Sequence, residues 1–324
     1  MNNKANKGLL TATTVILAIC SIAGFFSSTG HIPELLSHFR LQYLIGALLC
    51  LMIFALHKDK LRSLAAGLLL IINGYTIAPL YFGVPMYLSE SPSTASGEIS
   101  ENRAHKILLS NVNSANNEHQ RLIDLIQQDS PDILVLLEIN DAWLNSLQVI
   151  KTMYPFEKAI ARNDNFGIAV FSKLPLDNAE VRYWGNSGLP SLMLNYQWQG
   201  EGITLLATHP LPPITKDMMQ QRDTQLLQAA ADAAQQSGPV IMLGDFNITP
   251  WSSTFNQITE LSGLNNCRNG FGILPTWPAQ LKWPALMIPI DHCLASGEIT
   301  ISELRTGNDI GSDHLPLMIS LQLR

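Results

Sequence analysis

A carboxylate and an amide stand two residues apart at the end of a strongly apolar stretch. Asp245 and Asn247 follow residues 240–243, Val-Ile-Met-Leu, which read as a buried strand. Side chains alternate along a strand, so we expect these two to point to the same side of a sheet. There the carboxylate could take a proton and the amide could hold an oxygen. The pair predicts a polar reaction site at the rim of a sheet.

Other apolar runs are bordered by similar side chains. Residues 133–137 lead into a glutamate, residues 289–290 lead into Asp-His, and residues 311–314, Gly-Ser-Asp-His, precede the last apolar run. A single carboxylate at a strand end is more often a turn former or a helix cap. Several of them with histidines nearby favour one polar site assembled across a sheet.

Six short motifs carry a resemblance to a known family. In chain order they are SNVN at 110–113, LLE at 136–138, THP at 208–210, GDFN at 244–247, IDH at 290–292 and GSDH at 311–314. Together they resemble the endonuclease/exonuclease/phosphatase superfamily, which has the fold of deoxyribonuclease I. The resemblance covers the chain from about residue 106 onward and implies hydrolysis of phosphoester bonds.

The resemblance also implies roles for six catalytic residues. Asp245 positions or deprotonates the attacking water, Asn247 binds a phosphate oxygen, and Asn111 orients Asp245. In the same scheme His314 contacts the phosphate as a charged donor, and Asp291 accepts its other ring N–H. His209 is a candidate acid for the leaving group, although a structural role for this histidine stays open.

A hard divalent cation is the expected cofactor. Oxygen ligands without clustered cysteine or histidine favour Mg²⁺ or Mn²⁺, and Mg²⁺ uses few carboxylates and keeps waters that a phosphate can displace. Glu138 is the first candidate ligand. By resemblance, Asp313 touches the same ion or its waters, and Asn113 stands where many family members have a metal-associated Asp or Asn.

Periodicity predicts an α/β protein with layered elements. One expected strand begins near residue 107 and another ends at Glu138. Further strands are expected at 167–171, 191–198 and 203–208, and helices at 118–128 and 218–235. The resemblance implies the finer architecture, a four-layer sandwich of two mixed β-sheets flanked by helices.

The N-terminal part of the chain is apolar in three blocks, residues 8–26, 41–56 and 61–81. Each approaches the roughly 17–25 residues that a membrane-crossing helix needs, and the second is the shortest. We expect three transmembrane helices, although the first block could instead be a cleaved signal peptide. The predicted organisation is an anchor at 1–88, a linker at 89–104 and a catalytic domain at 105–324.

The cations of the anchor predict its orientation. Lys4 and Lys7 precede the first block, and Lys58, Lys60 and Arg62 separate the second from the third. Basic segments mark the cytoplasmic side, so three spans place the C-terminal domain outside the inner (plasma) membrane, in the periplasm if the cell is Gram-negative. The polar, small residues 89–97 are typical of a flexible tether.

Charge argues against nucleic acid as the main partner. Residues 98–324 hold 14 Lys+Arg against 23 Asp+Glu, a formal net charge of −9, which opposes a polyanion away from a metal. Candidate cations for the site, such as Arg162, Lys173 and Arg222, are scattered in the sequence and are expected to be solvated. Cys267 and Cys293 would pair in an oxidising compartment only if the fold brings them together.

The substrate is less constrained than the chemistry. THPLPP at 208–213 and GDFNITPWS at 244–252 are similar to a membrane-anchored branch associated with teicoplanin resistance, thought to act on polyprenyl pyrophosphate carriers. We therefore predict a phosphoesterase acting on a lipid-linked or small phosphate, with residues 211–214 and 274–288 as candidate lipid-facing segments. A membrane-tethered nuclease and a non-enzymatic binding protein remain alternatives, and no obligate protein partner is indicated.

Overall fold

The computed structural model of the protein describes residues 3–83 and 104–324. The predicted linker, residues 89–104, and the tether at 89–97 lie outside the described residues, apart from Ala104.

Four helices form the N-terminal region. They are α1 (Asn3–Ala23), α2 (His31–Ser37), α3 (Arg40–Leu56) and α4 (Lys60–Phe82). Two segments, Leu10–Thr29 and Lys60–Phe82, are each long and apolar enough to cross a membrane, and α2 with α3 forms a third such segment bent by 67°. Three spans were predicted, and the structure supports two, or three if the bent pair is a single span. The short helix α2 was not expected, because the polar residues between the apolar blocks read as a loop.

The C-terminal domain contains two six-stranded sheets. The first sheet has the order β11-β12-β1-β2-β4-β3 and the second β5-β6-β7-β8-β10-β9. The strands of the first sheet are β1 (His105–Asn111), β2 (Ile133–Leu137), β3 (Phe156–Ile160), β4 (Ile168–Ser172), β11 (Ile299–Thr306) and β12 (Leu317–Leu323). Those of the second are β5 (Asp177–Arg182), β6 (Ser191–Trp198), β7 (Glu201–Ala207), β8 (Val240–Asp245), β9 (Asn265–Asn266) and β10 (Asp291–Ala295).

Both sheets are mixed. In each of them one pair of strands is parallel, β1 with β2 and β7 with β8, and the remaining pairs are antiparallel. Each parallel pair is joined by a helix, α5 (His119–Asp129) in the first sheet and α7 (Lys216–Ala234) in the second. Such crossovers place the ends of both strands at the same rim of the sheet, and functional side chains can gather there.

Three apolar cores hold the layers together. The central core lies between the sheets and takes alternate residues from both, such as Ile107 and Leu109 of β1 and Ile241 and Leu243 of β8. One outer core packs α5 and α6 (Asp141–Ser146) on the first sheet, and the other packs α7 and α8 (Ser253–Ser262) on the second. The result is the four-layer sandwich that the resemblance implied.

Most predicted elements are confirmed within two or three residues, with one correction. The run at 289–290 was expected to end in Asp291 as a strand end, but β10 begins at Asp291 and runs antiparallel to β8. Pro289 has no N–H to donate to a ladder, so the strand starts beyond it. Cys267 and Cys293 do come together in the central core: both are free thiols, and Cys267 Sγ donates a hydrogen bond to Cys293 Sγ at 2.9 Å.

The N-terminal helices pack against the C-terminal domain. Ile77 and Leu80 of α4 form a small apolar cluster with Ile273, and the backbone N–H of Gly272 donates to the carbonyl of Leu80 at 2.7 Å. On α3, the Gln42 amide donates to the carbonyls of Ala285 and Met287, 3.1 Å each. The two parts of the chain therefore share an interface of apolar contacts and hydrogen bonds.

Candidate active site

The predicted site residues meet at one rim of the sandwich. Asn111 ends β1, Glu138 directly follows β2, and Asp245 ends β8. The remaining six lie in adjoining loops or at the start of a strand: Asn113, His209, Asn247, Asp291, Asp313 and His314. Asp291 opens β10 directly opposite Asp245 in the antiparallel ladder, so the two carboxylates face the same place.

Asp245 is the buried centre of this group. One carboxylate oxygen accepts from the backbone N–H of Asn247 at 3.0 Å, and the other accepts from the Asn111 amide at 3.2 Å. The same oxygen lies 3.4 Å from His209 Nε2 and 3.6 Å from His314 Nε2. Burial alone would raise the pKa of Asp245, but the two imidazoles outweigh it and hold this pKa below its ordinary value. The side chain is a fixed carboxylate.

Gly244 lets Asp245 reach this position. Its φ of 154° lies in the region that favours glycine, and a Cβ there would come within 1.9 Å of the Thr208 carbonyl oxygen. The backbones of β8 and the segment after β7 approach too closely for any other residue.

His314 is held by a carboxylate behind it. Its Nδ1 lies 2.8 Å from an Asp291 oxygen, so the ring N–H donates to that carboxylate. Burial would lower the pKa of His314, but Asp291, Asp245 and Asp313 outweigh that effect and raise the pKa to about 10. His314 is therefore an imidazolium at neutral pH. Its Nε2 lies 3.6 Å from an Asp245 oxygen.

His209 faces Asp245 from the other side. Burial lowers its pKa, but the carboxylates of Asp245 and Glu138 prevail and raise it above the ordinary value. Its Nδ1 is buried with no hydrogen-bond partner among residues 3–83 and 104–324, and its ring lies 5.2 Å from that of Phe166, centroid to centroid. The carboxylate contact places this histidine among the site residues, as the sequence predicted.

Asn247 reaches the site by a different route from the predicted one. Strand β8 ends at Asp245, and Asn247 has a left-handed backbone with φ of 53°, so strand alternation does not align the two side chains. Instead its N–H caps Asp245, and its amide donates to the carbonyl of Pro210 at 3.1 Å. The side chain still lines the same cavity as Asp245.

Glu138 and Asn113 share that unusual backbone conformation. Their φ values are 60° and 57°. Asparagine tolerates this region, but for glutamate it costs free energy, and such outliers often lie at functional sites. Glu138 accepts from the Asn111 amide at 2.9 Å. Its pKa is raised, mainly by burial and in part by Asp245, while His209 and the Asn111 hydrogen bond oppose the rise.

The three residues predicted to hold a metal ion differ in how well they suit a hard cation. Glu138 is a half-buried carboxylate that lines the cavity, and a cation would offset the cost of burying its charge. Asp313 also lines the cavity, but its oxygens accept from the Asn113 amide at 2.8 Å and from the Trp277 indole at 3.2 Å. The amide oxygen of Asn113 accepts from Ala115 N–H at 2.9 Å. Glu138 is the best-placed candidate ligand, and the Asn113 amide holds Asp313 through its hydrogen bond.

A second set of metal-capable atoms lies deeper. Among the described residues, ligand atoms of Asp245, Asp291 and His314 lie within 4.8 Å of one another. The imidazolium already compensates both carboxylates through a hydrogen bond and a close charge contact. This set therefore forms a proton-holding network, and Glu138 remains the candidate for the cation.

The site opens into a cavity of about 700 Å³. Glu138, Asp245 and His314 lie at its polar end. The rest of the lining is largely apolar and includes Leu211, Pro212, Pro213, Ile214 and Met218, together with Leu35 and Phe39 from the N-terminal region. The segments predicted to face lipid therefore contribute to it: residues 211–214, and from 274–288 both Trp277 and Ile288.

Three contributions were missed from the sequence. The wall from α2 lies more than 70 residues before the first motif, and Phe166 belongs to no motif. Arg222 was expected to be a solvated cation but is fully buried, and it donates to Glu34 at 2.8 Å and to the carbonyl of Asn247 at 3.0 Å. A signal existed: Glu34 is the only acidic residue between residues 8 and 58, and a lone carboxylate in an apolar region requires a partner.

Arg268 is a further buried cation behind the site. It donates to the backbone carbonyls of Leu274 and Asp291, and burial lowers its pKa to about 10 against the opposing effect of Asp291. His292, the neighbour of Asp291, points away from the site and contacts the carbonyl of Ile248 at 2.8 Å.

Several solved structures share the fold. TDP2 from D. rerio, complexed with single strand DNA product, is 15% identical with a TM-score of 0.57, covering 68% of this chain and 99% of that one. An endonuclease/exonuclease/phosphatase from Bacteroides vulgatus is 14% identical, with a TM-score of 0.57 and the same coverage. Sphingomyelinase C from Streptomyces griseocarneus is 16% identical with a TM-score of 0.51, covering 67% of this chain and 99% of that one. At such identities the likeness shows the fold alone.

Among curated proteins, no sequence matches the chain significantly. The sequence profile of the Endonuclease/Exonuclease/phosphatase family matches residues 108–314, which is more than half of the chain. The protein therefore belongs to this family of divalent-metal-dependent enzymes that hydrolyse phosphoester bonds.

Proposed function

We propose that the protein hydrolyses a phosphate ester or pyrophosphate, lipid-linked or small, on the extracytoplasmic side of a membrane. The observation that carries the proposal is the buried Asp245, fixed by Asn111 and Asn247 and placed between two imidazoles, at the polar end of a cavity with an apolar wall.

Asp245 acts on the attacking water. Two hydrogen bonds, from Asn111 and from the Asn247 backbone, fix its orientation, and the lowered pKa keeps it ionised at neutral pH. A fixed carboxylate can orient a water and accept its proton as the oxygen attacks phosphorus. The Asn247 amide, at the edge of the cavity, binds a phosphate oxygen.

The two histidines act on the phosphate. His314, protonated and oriented by Asp291, donates a charge-assisted hydrogen bond to a phosphate oxygen, where negative charge accumulates in the transition state. His209 has a raised pKa and can give a proton to the leaving oxygen. Both imidazoles present Nε2 to the same Asp245 oxygen, at 3.4 and 3.6 Å, so both lie next to the position of the attacking water.

Glu138 holds the metal ion in this proposal, with Asp313 contacting the ion or its waters. Oxygen donors favour Mg²⁺ or Mn²⁺. When bound, such an ion neutralises charge on the phosphate and acts as a Lewis acid. Asn113 keeps Asp313 in place through its amide N–H.

The lining of the cavity supports a lipid-linked substrate over nucleic acid. In the part of the chain that the structure describes, no lysine or arginine lines the cavity, and residues 98–324 carry a formal charge of −9. Binding of DNA depends on neutralising many phosphates with cations. A nuclease remains the second candidate, because a protein with this fold, TDP2, is complexed with single strand DNA product.

The side of the membrane on which the catalytic domain lies depends on the number of membrane spans. If the bent pair α2–α3 is one span between Leu10–Thr29 and Lys60–Phe82, the chain crosses the membrane three times. With Lys4, Lys7, Lys58, Lys60 and Arg62 on the cytoplasmic side, the catalytic domain, residues 105–324, is then extracytoplasmic. A membrane-impermeant thiol reagent tests this on cells producing a variant with a cysteine at the exposed Glu201: labelling supports the location, and protection until lysis contradicts it.

The substrate class requires the full-length protein, reconstituted in lipid nanodiscs with Mg²⁺ or Mn²⁺. We expect Asp245-dependent release of phosphate from a polyprenyl pyrophosphate or a phosphodiester lipid, and slower turnover of DNA. The Asp245→Ala variant is the control for contaminating activity. Faster turnover of DNA than of every lipid would establish the nuclease, and metal-dependent turnover of none would favour a binding protein.

A further inference from the structure

We infer that α2 belongs to the active site: it forms one wall of a subsite that holds the hydrocarbon chain of a membrane lipid phosphate. This inference rests on the proposed phosphoesterase function and names the part of the substrate that lies beyond the phosphate. It also assigns to the N-terminal region a role in specificity in addition to anchoring.

The wall is continuous with the reaction centre. Leu35 and Phe39 line the cavity that Asp245 and His314 line at its polar end. Across from them lie residues 211–214, which follow the catalytic candidate His209 after a single proline. A phosphate at the polar end would therefore direct its organic substituent along the apolar wall.

A buried ion pair fixes this wall. Glu34 of α2 is 1% exposed and accepts from Arg222 at 2.8 Å and from the Ser252 hydroxyl at 2.9 Å. Arg222 also donates to the backbone carbonyl of Asn247 at 3.0 Å. A buried ion pair is tolerated only when further hydrogen bonds satisfy its charges, and these partners do so. One guanidinium thus ties α2 to the loop that carries a predicted phosphate ligand.

Two more contacts seat α2 against the rim. His31 Nε2 lies 2.8 Å from the carbonyl oxygen of Pro213, and His38 Nδ1 lies 3.1 Å from the Thr249 hydroxyl. Both partners belong to loops that follow site strands. The helix is therefore bound at its start, middle and end, as a fixed wall requires.

Apolar side chains continue outward from the cavity, and they favour a hydrocarbon chain as its occupant. Phe39, 40% exposed, lies at the bend between α2 and α3, and α3 belongs to a candidate membrane span. Ile214, 71% exposed, extends the opposite wall outward. A lipid chain that leaves the bilayer beside α3 would meet apolar side chains all the way to the phosphate position.

Alkyl phosphonates test the wall without turnover, since their carbon–phosphorus bond resists hydrolysis. Binding of methyl, butyl and hexyl phosphonate to the full-length protein in nanodiscs with Mg²⁺ would be measured by calorimetry, with empty nanodiscs subtracted. We expect affinity to rise about fourfold for each methylene that the wall buries. Phe39→Ser and Leu35→Ser should flatten this dependence and leave methyl phosphonate binding unchanged.

Ile32→Ser is the matched control, because Ile32 lies on the same helix, is 64% exposed and does not line the cavity. A second pair of variants tests the ion pair: Glu34→Gln should flatten the dependence, whereas Asp223→Asn, which removes the other carboxylate partner of Arg222, should not.

The inference is overturned if affinity does not depend on chain length, if Phe39→Ser keeps the wild-type dependence, or if no phosphonate binds. It is also overturned if a dinucleotide binds more tightly than hexyl phosphonate and loses that affinity in Phe39→Ser. A chain-length dependence without hydrolysis of any ester would support the subsite and refute the proposed function. Hydrolysis of a small ester without chain-length dependence would do the reverse.

Discussion

The site has two halves that differ in how fully the protein satisfies their charges. In the buried half, Asp245, Asp291 and His314 compensate one another through a hydrogen bond and close charge contacts. In the half that faces the cavity, Glu138 and Asp313 are partly exposed carboxylates, with no lysine or arginine among the residues that line the cavity in the described ranges. The fold therefore fixes the acid–base groups by itself, and it leaves negative charge where a metal ion would bind.

The largest expected effect is in the buried half. Asp245→Asn keeps the shape and the hydrogen-bond acceptor but removes the base, so we expect kcat to fall about 10³-fold or more, within the range for a general base. Saturating metal should not restore it. The measurement is steady-state hydrolysis across a series of Mg²⁺ concentrations.

Thr254→Val is a suitable comparison for Asp245→Asn, since Thr254 is a buried polar residue on α8 outside the site. Activity of Asp245→Asn within tenfold of wild type would assign the base to another group. Recovery at high metal would mean that Asp245 belongs with the metal-binding half.

The next effect concerns Asp291, which supports His314. Its charge is the largest of the effects that raise the pKa of His314 to about 10, so protonated His314 persists to alkaline pH. Asp291→Asn should lower the pKa of His314, so the alkaline loss of activity should begin at a lower pH than in the wild type. At neutral pH, kcat should fall about 10²-fold. A pH–rate profile from pH 6 to 10 checks this. An unchanged alkaline limb with a lower kcat would show that Asp291 only maintains the local structure.

The buried half could be predicted from sequence because its members border apolar strands. Asn111 and Asp245 end strands, and Asp291 begins one, and a layered sheet brings such positions to one rim. The backbone reversal at Asn247 could not be predicted, because one left-handed residue has no periodic signal. Asn247 lies in the same cavity as Asp245, as expected, but a backbone reversal places it there and strand alternation does not.

The fold was predictable where helices and strands alternate with clear periodicity, as in β6 and α7. Strands with mixed exposure were missed, such as β5, whose residues are mostly exposed or half-buried. The docking of α2 was also missed, because the Glu34–Arg222 pair joins residues 188 positions apart. Long-range pairing of that kind leaves only an unexplained charge in the sequence.

A smaller and different effect is expected in the cavity-facing half. Glu138→Gln removes the charge of the best-placed ligand, so we expect the Mg²⁺ concentration for half-maximal activity to rise about 100-fold, with most of kcat recovered at saturation. Titration of activity with Mg²⁺ and Mn²⁺ gives both quantities. Glu157→Gln, a surface carboxylate paired with Lys151, is the matched control. A loss of kcat that metal does not restore would place Glu138 in the buried half instead.

The smallest effect separates ligands from residues that position them. Asn113 has φ of 57°, so Asn113→Gly removes its side chain without backbone strain. If its amide acts by holding Asp313, the metal requirement should rise about tenfold, as for other groups that orient a ligand, and kcat at saturating metal should stay within about twofold. Asn178→Gly, at a comparable φ of 47° on β5, controls for glycine itself. A rise as large as that of Glu138→Gln would make Asn113 a direct ligand, and no rise would exclude both roles.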